Sequence, residues 1–189
     1  MSSGHFNNGS YKDRQVNNGY EPNKADDHET PKWLFNYVQK RFNITTDIAC
    51  DGYNALIKGS PLFDEGFNAL DESWGQFKGA KYCFPPFSRP FFFNFLDKAC
   101  FEWSKGETTI FVAPIKTLSL KYFQGIKPPK IHLIYPRINF FFEGRMVETQ
   151  DSICFLEYDG NIPYSNKIEP EIKILDLSQY VTNSLNPRN

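Results

Sequence analysis

The sequence predicts an α/β domain with three layers and a mostly parallel sheet. Residues 89–103 carry apolar side chains at helical spacing, whereas residues 108–113 form a β-branched run that ends at Pro114. Strand patterns at 131–135 and 152–158 continue this alternation of helices and strands, which is typical of parallel sheets covered by helices. At 189 residues, the chain suits one domain with a sizeable core.

The N-terminal third contains an arm, a helix and a strand. Residues 1–28 are rich in Asn, Gly, Ser and charged residues, and this composition predicts an arm that is disordered in isolation. The domain is expected at residues 29–160. Thr30 is a suitable N-cap and Pro31 a suitable first helical residue, so a helix is predicted to begin there. A strand is predicted at 44–49.

The remaining segments are shorter. Glycines and prolines predict a loop at 53–74, and a weak strand at 81–84 follows it. A short helix is expected at 117–124, and a further strand and turn at 139–144. Residues 161–189 are polar with scattered Ile and Leu, so they are expected to form a C-terminal tail that wraps the domain.

Several classes of protein are disfavoured by composition. No apolar run approaches the ~18 residues that a membrane span needs, and the N-terminus has no apolar signal segment. The three histidines lie far apart, so neither a metal site nor a catalytic triad is expected. The four cysteines show no CxxC spacing and predict reduced thiols: Cys50, Cys83, Cys100 and Cys154. These features predict a cytoplasmic protein without membrane or metal partners.

Positive charge is concentrated in the middle of the chain. Residues 76–145 carry eleven lysines and arginines against four acidic residues, although the net charge of the whole chain is -1. Such a segment can meet a phosphate backbone, or it can form solvated surface, and the first interpretation is slightly favoured. It predicts salt-sensitive DNA binding through five cations: Lys81, Arg89, Lys116, Lys121 and Arg137.

A rigid loop at residues 82–90 organises the chain. A short apolar run leads into Pro85-Pro86, which Phe84 and Phe87 flank. Each proline fixes its own φ and pushes the residue before it into an extended conformation. Both rings are therefore expected at the carboxyl end of a strand, which is the edge where open α/β sheets bind ligands.

Five further motifs occur in order along about residues 30–159: Thr30-Pro31-Lys32-Trp33-Leu34-Phe35, Asp47-Ile48-Ala49-Cys50 with Asn54-Ala55, Leu70 and Trp74, Pro114-Ile115-Lys116-Thr117 with Phe123, and Arg137-Ile138-Asn139-Phe140. In this order the motifs resemble those of the phage-encoded DNA N6-adenine methyltransferases. The segment Phe84-Pro85-Pro86-Phe87-Ser88 takes the place of the family's Asn-Pro-Pro-Tyr-Ser motif. The resemblance implies the Rossmann-like fold of S-adenosylmethionine-dependent methyltransferases, with DNA as the partner.

The resemblance also implies a role for each residue of the Pro-Pro loop. In the family, adenine is flipped out of the duplex and stacks on an aromatic ring, which would be Phe87 here. The Asn or Asp side chain and the carbonyl of the first proline accept hydrogen bonds from the adenine amine. Pro85 and Pro86 retain the backbone, but Phe84 offers no acceptor. Losing one positioned hydrogen bond costs on the order of 2.7–4 kcal/mol, or 10²–10³ in rate.

Two functions follow from this substitution. The chain is either an adenine methyltransferase with slow chemistry, or a catalytically inactive phage protein that binds or inhibits a host protein or nucleic acid in the host cytoplasm. The intact Pro-Pro step and Phe87 favour the first function, and Phe84 favours the second.

The cofactor side of the resemblance involves five residues. Asp47, at the end of the first strand, either contacts S-adenosylmethionine or caps a loop, and the two interpretations have equal weight. Ala49 is small enough for the backbone to approach a ligand. Thr30 and Pro31 match a cofactor-contacting segment, although helix initiation explains them as well and is preferred. Asp71 matches a ribose-binding or adenine-binding position, but a solvated loop acid is the simpler interpretation.

Overall fold

The computed structural model describes residues 29–50, 54–62, 66–142, 145–147 and 151–184. The expected N-terminal arm at 1–28 lies outside these residues. The helices are α1 (Lys32–Phe42), α2 (Phe91–Ser104) and α3 (Ser178–Ser184). The strands are β1 (Ile44–Asp47), β2 (Ala80–Cys83), β3 (Thr109–Pro114), β4 (Lys130–Tyr135), β5 (Phe140–Phe142), β6 (Arg145–Val147), β7 (Ile153–Tyr158) and β8 (Glu171–Asp176).

Six strands form the main sheet, in the order β1-β2-β3-β7-β4-β8. β1, β2 and β3 are mutually parallel, and β4 is parallel to β8. β7 lies antiparallel to both β3 and β4, so five strands run in one direction and β7 runs against them. This mixed, mostly parallel sheet confirms the predicted α/β class. β5 and β6 form a separate antiparallel pair.

Helices on both faces of the sheet produce two apolar cores. α1 buries Leu34 and Val38 against one face, where they pack in a cluster with Val112. α2 buries Phe95 and Trp103 against the other face. Because successive residues of a strand point to opposite faces, β3 contributes alternate side chains to the two cores. The expected three layers are therefore present.

Two segments differ from the sequence-based prediction. The helix expected at 117–124 is instead two short 3₁₀ helices, Ile115–Ser119 and Lys121–Gly125, because Leu120 between them has extended backbone angles. The segment 161–189, expected to be a wrapping tail, contributes β8 to the sheet. After β8, α3 packs on α1, with the Tyr180 ring 5.3 Å from that of Tyr37.

A polar cluster joins β4 to the end of β7. His132 Nε2 lies 2.6 Å from Glu157 Oε2, and Lys130 Nζ lies 3.0 Å from Glu157 Oε1 and 2.7 Å from Asp159 Oδ2. Burial raises the pKa of Glu157, but the hydrogen bonds with His132 and Lys130 outweigh it, so that this pKa is lowered. Burial also raises the pKa of Asp159, but hydrogen bonds from Lys130 and Asn161 outweigh this effect, so that this pKa is lowered as well.

This cluster predicts an acid-sensitive fold. A carboxyl group whose pKa is depressed by folding stabilises the protein above its ordinary pKa, and that contribution disappears as the pH falls. We expect the free energy of unfolding to decline as the pH drops below 4.5, the ordinary value for glutamate. In Glu157→Gln, urea titrations at several pH values should show a shallower decline. Glu169→Gln, at an exposed side chain, is the control, and equal slopes for Glu157→Gln and wild type would contradict the prediction.

Candidate active site

The Pro-Pro loop lies where the sequence places it, directly after β2. All four residues of β2 are buried between β1 and β3, and the strand ends at Cys83. Phe84 therefore begins the loop at the carboxyl end of the strand. Pro85 is buried, whereas Pro86 and Phe87 are half-buried, and α2 starts shortly afterwards at Phe91.

The Phe84 ring is half-buried and packs against other aromatic rings. Its centroid lies 5.1 Å from that of the buried Phe140 and 5.4 Å from that of Phe87. Phe87 in turn contacts Phe92 of α2, with centroids 5.8 Å apart. Aromatic pairs at such separations attract one another beyond simple burial of apolar area. The residue that the sequence resemblance aligns with the family's polar acceptor is thus a ring that carries no hydrogen-bonding atom and packs against two others.

Asp47 ties the end of β1 to the following loop. Its backbone N–H donates to Ser60 Oγ at 2.9 Å, and its carboxylate Oδ2 lies 3.4 Å from the backbone N of Leu56. The side chain is buried, so these contacts give it the loop-capping role that the sequence left open. Ala49, two residues later, is partly buried against the core on the α2 side. Cofactor contact by either residue stays a prediction.

The N-cap role predicted for Thr30 is wrong. α1 begins at Lys32, and no side chain caps its first turn. Thr30 Oγ1 instead lies 3.0 Å from Tyr82 Oη in the interior. A buried phenol needs a hydrogen-bonding partner, and the neighbouring Thr30 supplies one. Burial also raises the pKa of Tyr82, so its hydroxyl stays protonated beside the Pro-Pro loop.

Tyr82 was not among the predicted site residues, although a tyrosine in a buried strand is a signal for such a partner. Asp71 lies in the loop before β2, where its side chain is exposed and contacts Asn68 Nδ2. This contact agrees with the simpler interpretation of Asp71 as a loop acid.

Four of the five predicted DNA-binding cations lie at one edge of the sheet. Arg89 follows β2, Lys116 and Lys121 follow β3, and Arg137 follows β4; all four are exposed. Because these strands are parallel, their carboxyl ends meet at the edge that also carries Phe84. Arg89 lies over the Phe93 ring at 5.1 Å, and Lys116 Nζ is 2.5 Å from Asp151 Oδ2 on the surface.

The prediction that Lys81 binds DNA is wrong. It lies inside β2 with a side chain that is 1% exposed, and its ammonium group contacts Glu107. A strand that is buried on both faces can hold a lysine only if an opposite charge accompanies it. Lys81 therefore neutralises a carboxylate within the fold and is unavailable to a phosphate backbone.

Other chemistry has little support at this site. All four cysteines are buried and none forms a disulfide. Burial raises the pKa of Cys100 to about 11 and that of Cys154 to about 12, which leaves thiols rather than reactive thiolates near neutral pH. Within the described ranges, no group of His, Cys, Asp and Glu could hold a metal ion, and no helix is long and apolar enough to cross a membrane.

Comparison with known proteins agrees with the geometry. A search of curated proteins finds no match to the chain. A family model described as DNA N-6-adenine-methyltransferase (Dam) matches residues 19–154, which is more than half of the chain. The sheet, with antiparallel β7 inserted between β3 and β4, is consistent with the Rossmann-like methyltransferase fold. The chain therefore belongs to the Dam family of S-adenosylmethionine-dependent DNA adenine methyltransferases.

Proposed function

We propose that this chain is a DNA-binding member of the Dam family in which methyl transfer to adenine N6 is strongly impaired. The observation that carries the proposal is the Phe84 ring, which packs against Phe87 and Phe140 and which the sequence resemblance aligns with the family's acceptor. Methyl transfer from labelled S-adenosylmethionine to DNA, measured beside an active adenine methyltransferase, tests it. Turnover comparable to that of the active enzyme would contradict it.

The chemistry explains why one ring has so large an effect. The exocyclic nitrogen of adenine is a poor nucleophile because its lone pair is delocalised into the base. Hydrogen-bond acceptors placed beside the amine group counter this delocalisation. A backbone carbonyl at Phe84 or Pro85 leaves one acceptor, whereas the second is absent. Because two rings pack against it, Phe84 cannot move aside without losing those contacts. Phe87, which is half-buried, remains suited to stack on a flipped base.

The cofactor would be held where β1 ends. When bound, S-adenosylmethionine supplies an electrophilic methyl group on sulfonium. The residues after β1 fit this cofactor because Ala49 and Cys50 are small, which lets a ligand come close to the backbone. Asp47 would act mainly by holding the loop at 54–62 against the strand, since its contacts are made there. Thr30 and Pro31, which directly precede α1, would line the cofactor site from the start of that helix.

DNA binding is expected to be weak and strongly salt-dependent. Neutralising about four phosphates gives a slope of about -3 to -4 in a plot of log affinity against log salt concentration. In Arg89→Gln/Lys121→Gln, fluorescence anisotropy with duplex DNA should show a slope that is smaller in magnitude by about 2. Lys105→Gln, at the opposite end of α2, should leave the slope unchanged. An affinity for wild type that does not vary with salt would show that these cations form only solvated surface.

A further inference from the structure

Among the described strands, β8 is the last of the main sheet and has one neighbour, β4. The backbone N–H of Glu171 donates to Pro129 O at 2.9 Å, and that of Leu177 donates to Tyr135 O at 2.6 Å. Backbone groups alternate in direction along a strand, so the odd-numbered residues bond to β4. The backbone groups of Ile172 and Ile174 therefore point away from the sheet, at an edge that no other described strand covers.

The same edge carries exposed apolar side chains. Ile172 is 62% exposed, Ile174 is 73% exposed and Tyr135 of β4 is 60% exposed. Ile131 is buried on the α2 face of the sheet, and Ile172 is its partner in the parallel pairing of β4 with β8. Side chains two residues apart on a strand share a face, so Ile174 and Tyr135 lie on the α2 face as well. α2 itself packs on β3 and β7, and the three side chains remain accessible beyond it. We call them the edge strip. An open strand edge beside exposed apolar groups is a template for another strand.

Charge along β8 is complementary to β8 of a second copy. Glu171 and Lys173 lie on the opposite face from the edge strip, with Lys173 Nζ 3.1 Å from Glu171 Oε2. When two copies of β8 run antiparallel about a two-fold axis at Ile172, Glu171 of each copy faces Lys173 of the other. Opposite charges that face each other across an antiparallel pair stabilise it, and like charges destabilise it.

The hydrogen-bonding pattern supports this register. With the axis at Ile172, the two Ile172 residues exchange both of their outward backbone hydrogen bonds. Each Ile174 N–H then meets the carbonyl of Pro170, whereas the Ile174 carbonyl gains no bond in return because proline has no N–H. An axis at Lys173 would instead place two lysines opposite each other. The register at Ile172 also joins the two edge strips into one apolar surface.

We propose that this protein forms a symmetric dimer by antiparallel pairing of β8, with the two-fold axis at Ile172. The two six-stranded sheets become one continuous sheet, and two interchain Glu171–Lys173 pairs select the register. In each copy, the Phe84 ring and its aromatic neighbours lie at the carboxyl end of β2. They remain separate from this interface because β1, β2 and β3 lie on the side of the sheet away from β8.

Exchange of the two charges tests the proposal. Sedimentation equilibrium of the full chain should give twice the 22.0 kDa of one chain. Glu171→Lys and Lys173→Glu should each weaken dimerisation by about tenfold or more, because like charges then face each other. The double variant Glu171→Lys/Lys173→Glu restores opposite charges and should restore the dimer. Lys105→Glu at the end of α2 is the control for a change of net charge.

Three outcomes would overturn the proposal. The first is a wild-type monomer at high micromolar concentration. The second is a dimer that both single variants leave intact, since another surface would then hold it together. The third is a monomer whose Ile172 and Ile174 amides resist hydrogen exchange, which would mean that a segment of the same chain covers the edge. Circular dichroism of each variant separates loss of pairing from loss of folding.

Discussion

Phe84→Asn is expected to raise the rate of methyl transfer to adenine by a factor of about 10²–10³ over wild type. The amide restores an acceptor beside the backbone carbonyl of Pro85, while Phe87 stays in place to stack on the base. Removal of the ring also opens the space between Phe87 and Phe140. The measurement is incorporation of a labelled methyl group into unmethylated DNA at saturating cofactor.

Phe84→Leu is the matched control, because it removes the ring without adding an acceptor. If Phe84→Leu gains as much activity as Phe84→Asn, then space rather than hydrogen bonding limits the wild type. Calorimetric titration with S-adenosylmethionine separates cofactor binding from transfer. Should Phe84→Asn bind cofactor yet recover no activity, the missing acceptor would not explain the impairment. Should neither variant bind cofactor, the retained function would lie outside methyl transfer.

Glu102→Ala is expected to lower the free energy of unfolding by about 3–5 kcal/mol. Glu102 lies in α2 and is fully buried. Its Oε2 accepts a hydrogen bond from the backbone N–H of Trp74 at 3.2 Å, and its Oε1 lies 2.8 Å from Lys98 Nζ. Truncation leaves a largely buried lysine without its counter-charge and a buried amide without an acceptor. Chemical denaturation monitored by tryptophan fluorescence measures the loss.

Glu102→Gln distinguishes the two contributions. The amide oxygen can still accept from Trp74, but the charge opposite Lys98 is lost, so an intermediate decrease in stability is expected. The consequence extends to the site because Trp74 anchors the loop that leads into β2, with its indole N–H donating to Ala69 O at 2.7 Å. Equal stability of Glu102→Ala and wild type would show that the buried pair contributes nothing net.

The sequence by itself determined the fold class and the position of the Pro-Pro loop after β2. Periodicity over 89–103 and the β-branched run at 108–113 predicted α2 and β3 to within one or two residues, because these signals are local. The Pro-Pro step placed Phe84 and Phe87 at the carboxyl end of β2 for the same reason. The order of the motifs indicated the family that the family model also matches.

Only the tertiary structure decided which partners these residues have. The Thr30–Tyr82 hydrogen bond, the Lys81–Glu107 pair and the contact between Phe84 and Phe140 each join residues that are far apart in sequence. β8 was missed for a related reason. Its alternation of charged and apolar residues is too short to stand out in a polar segment, and it becomes a strand by pairing with β4. Burial and partner choice depend on which strands the topology makes neighbours, and local sequence patterns do not encode that information.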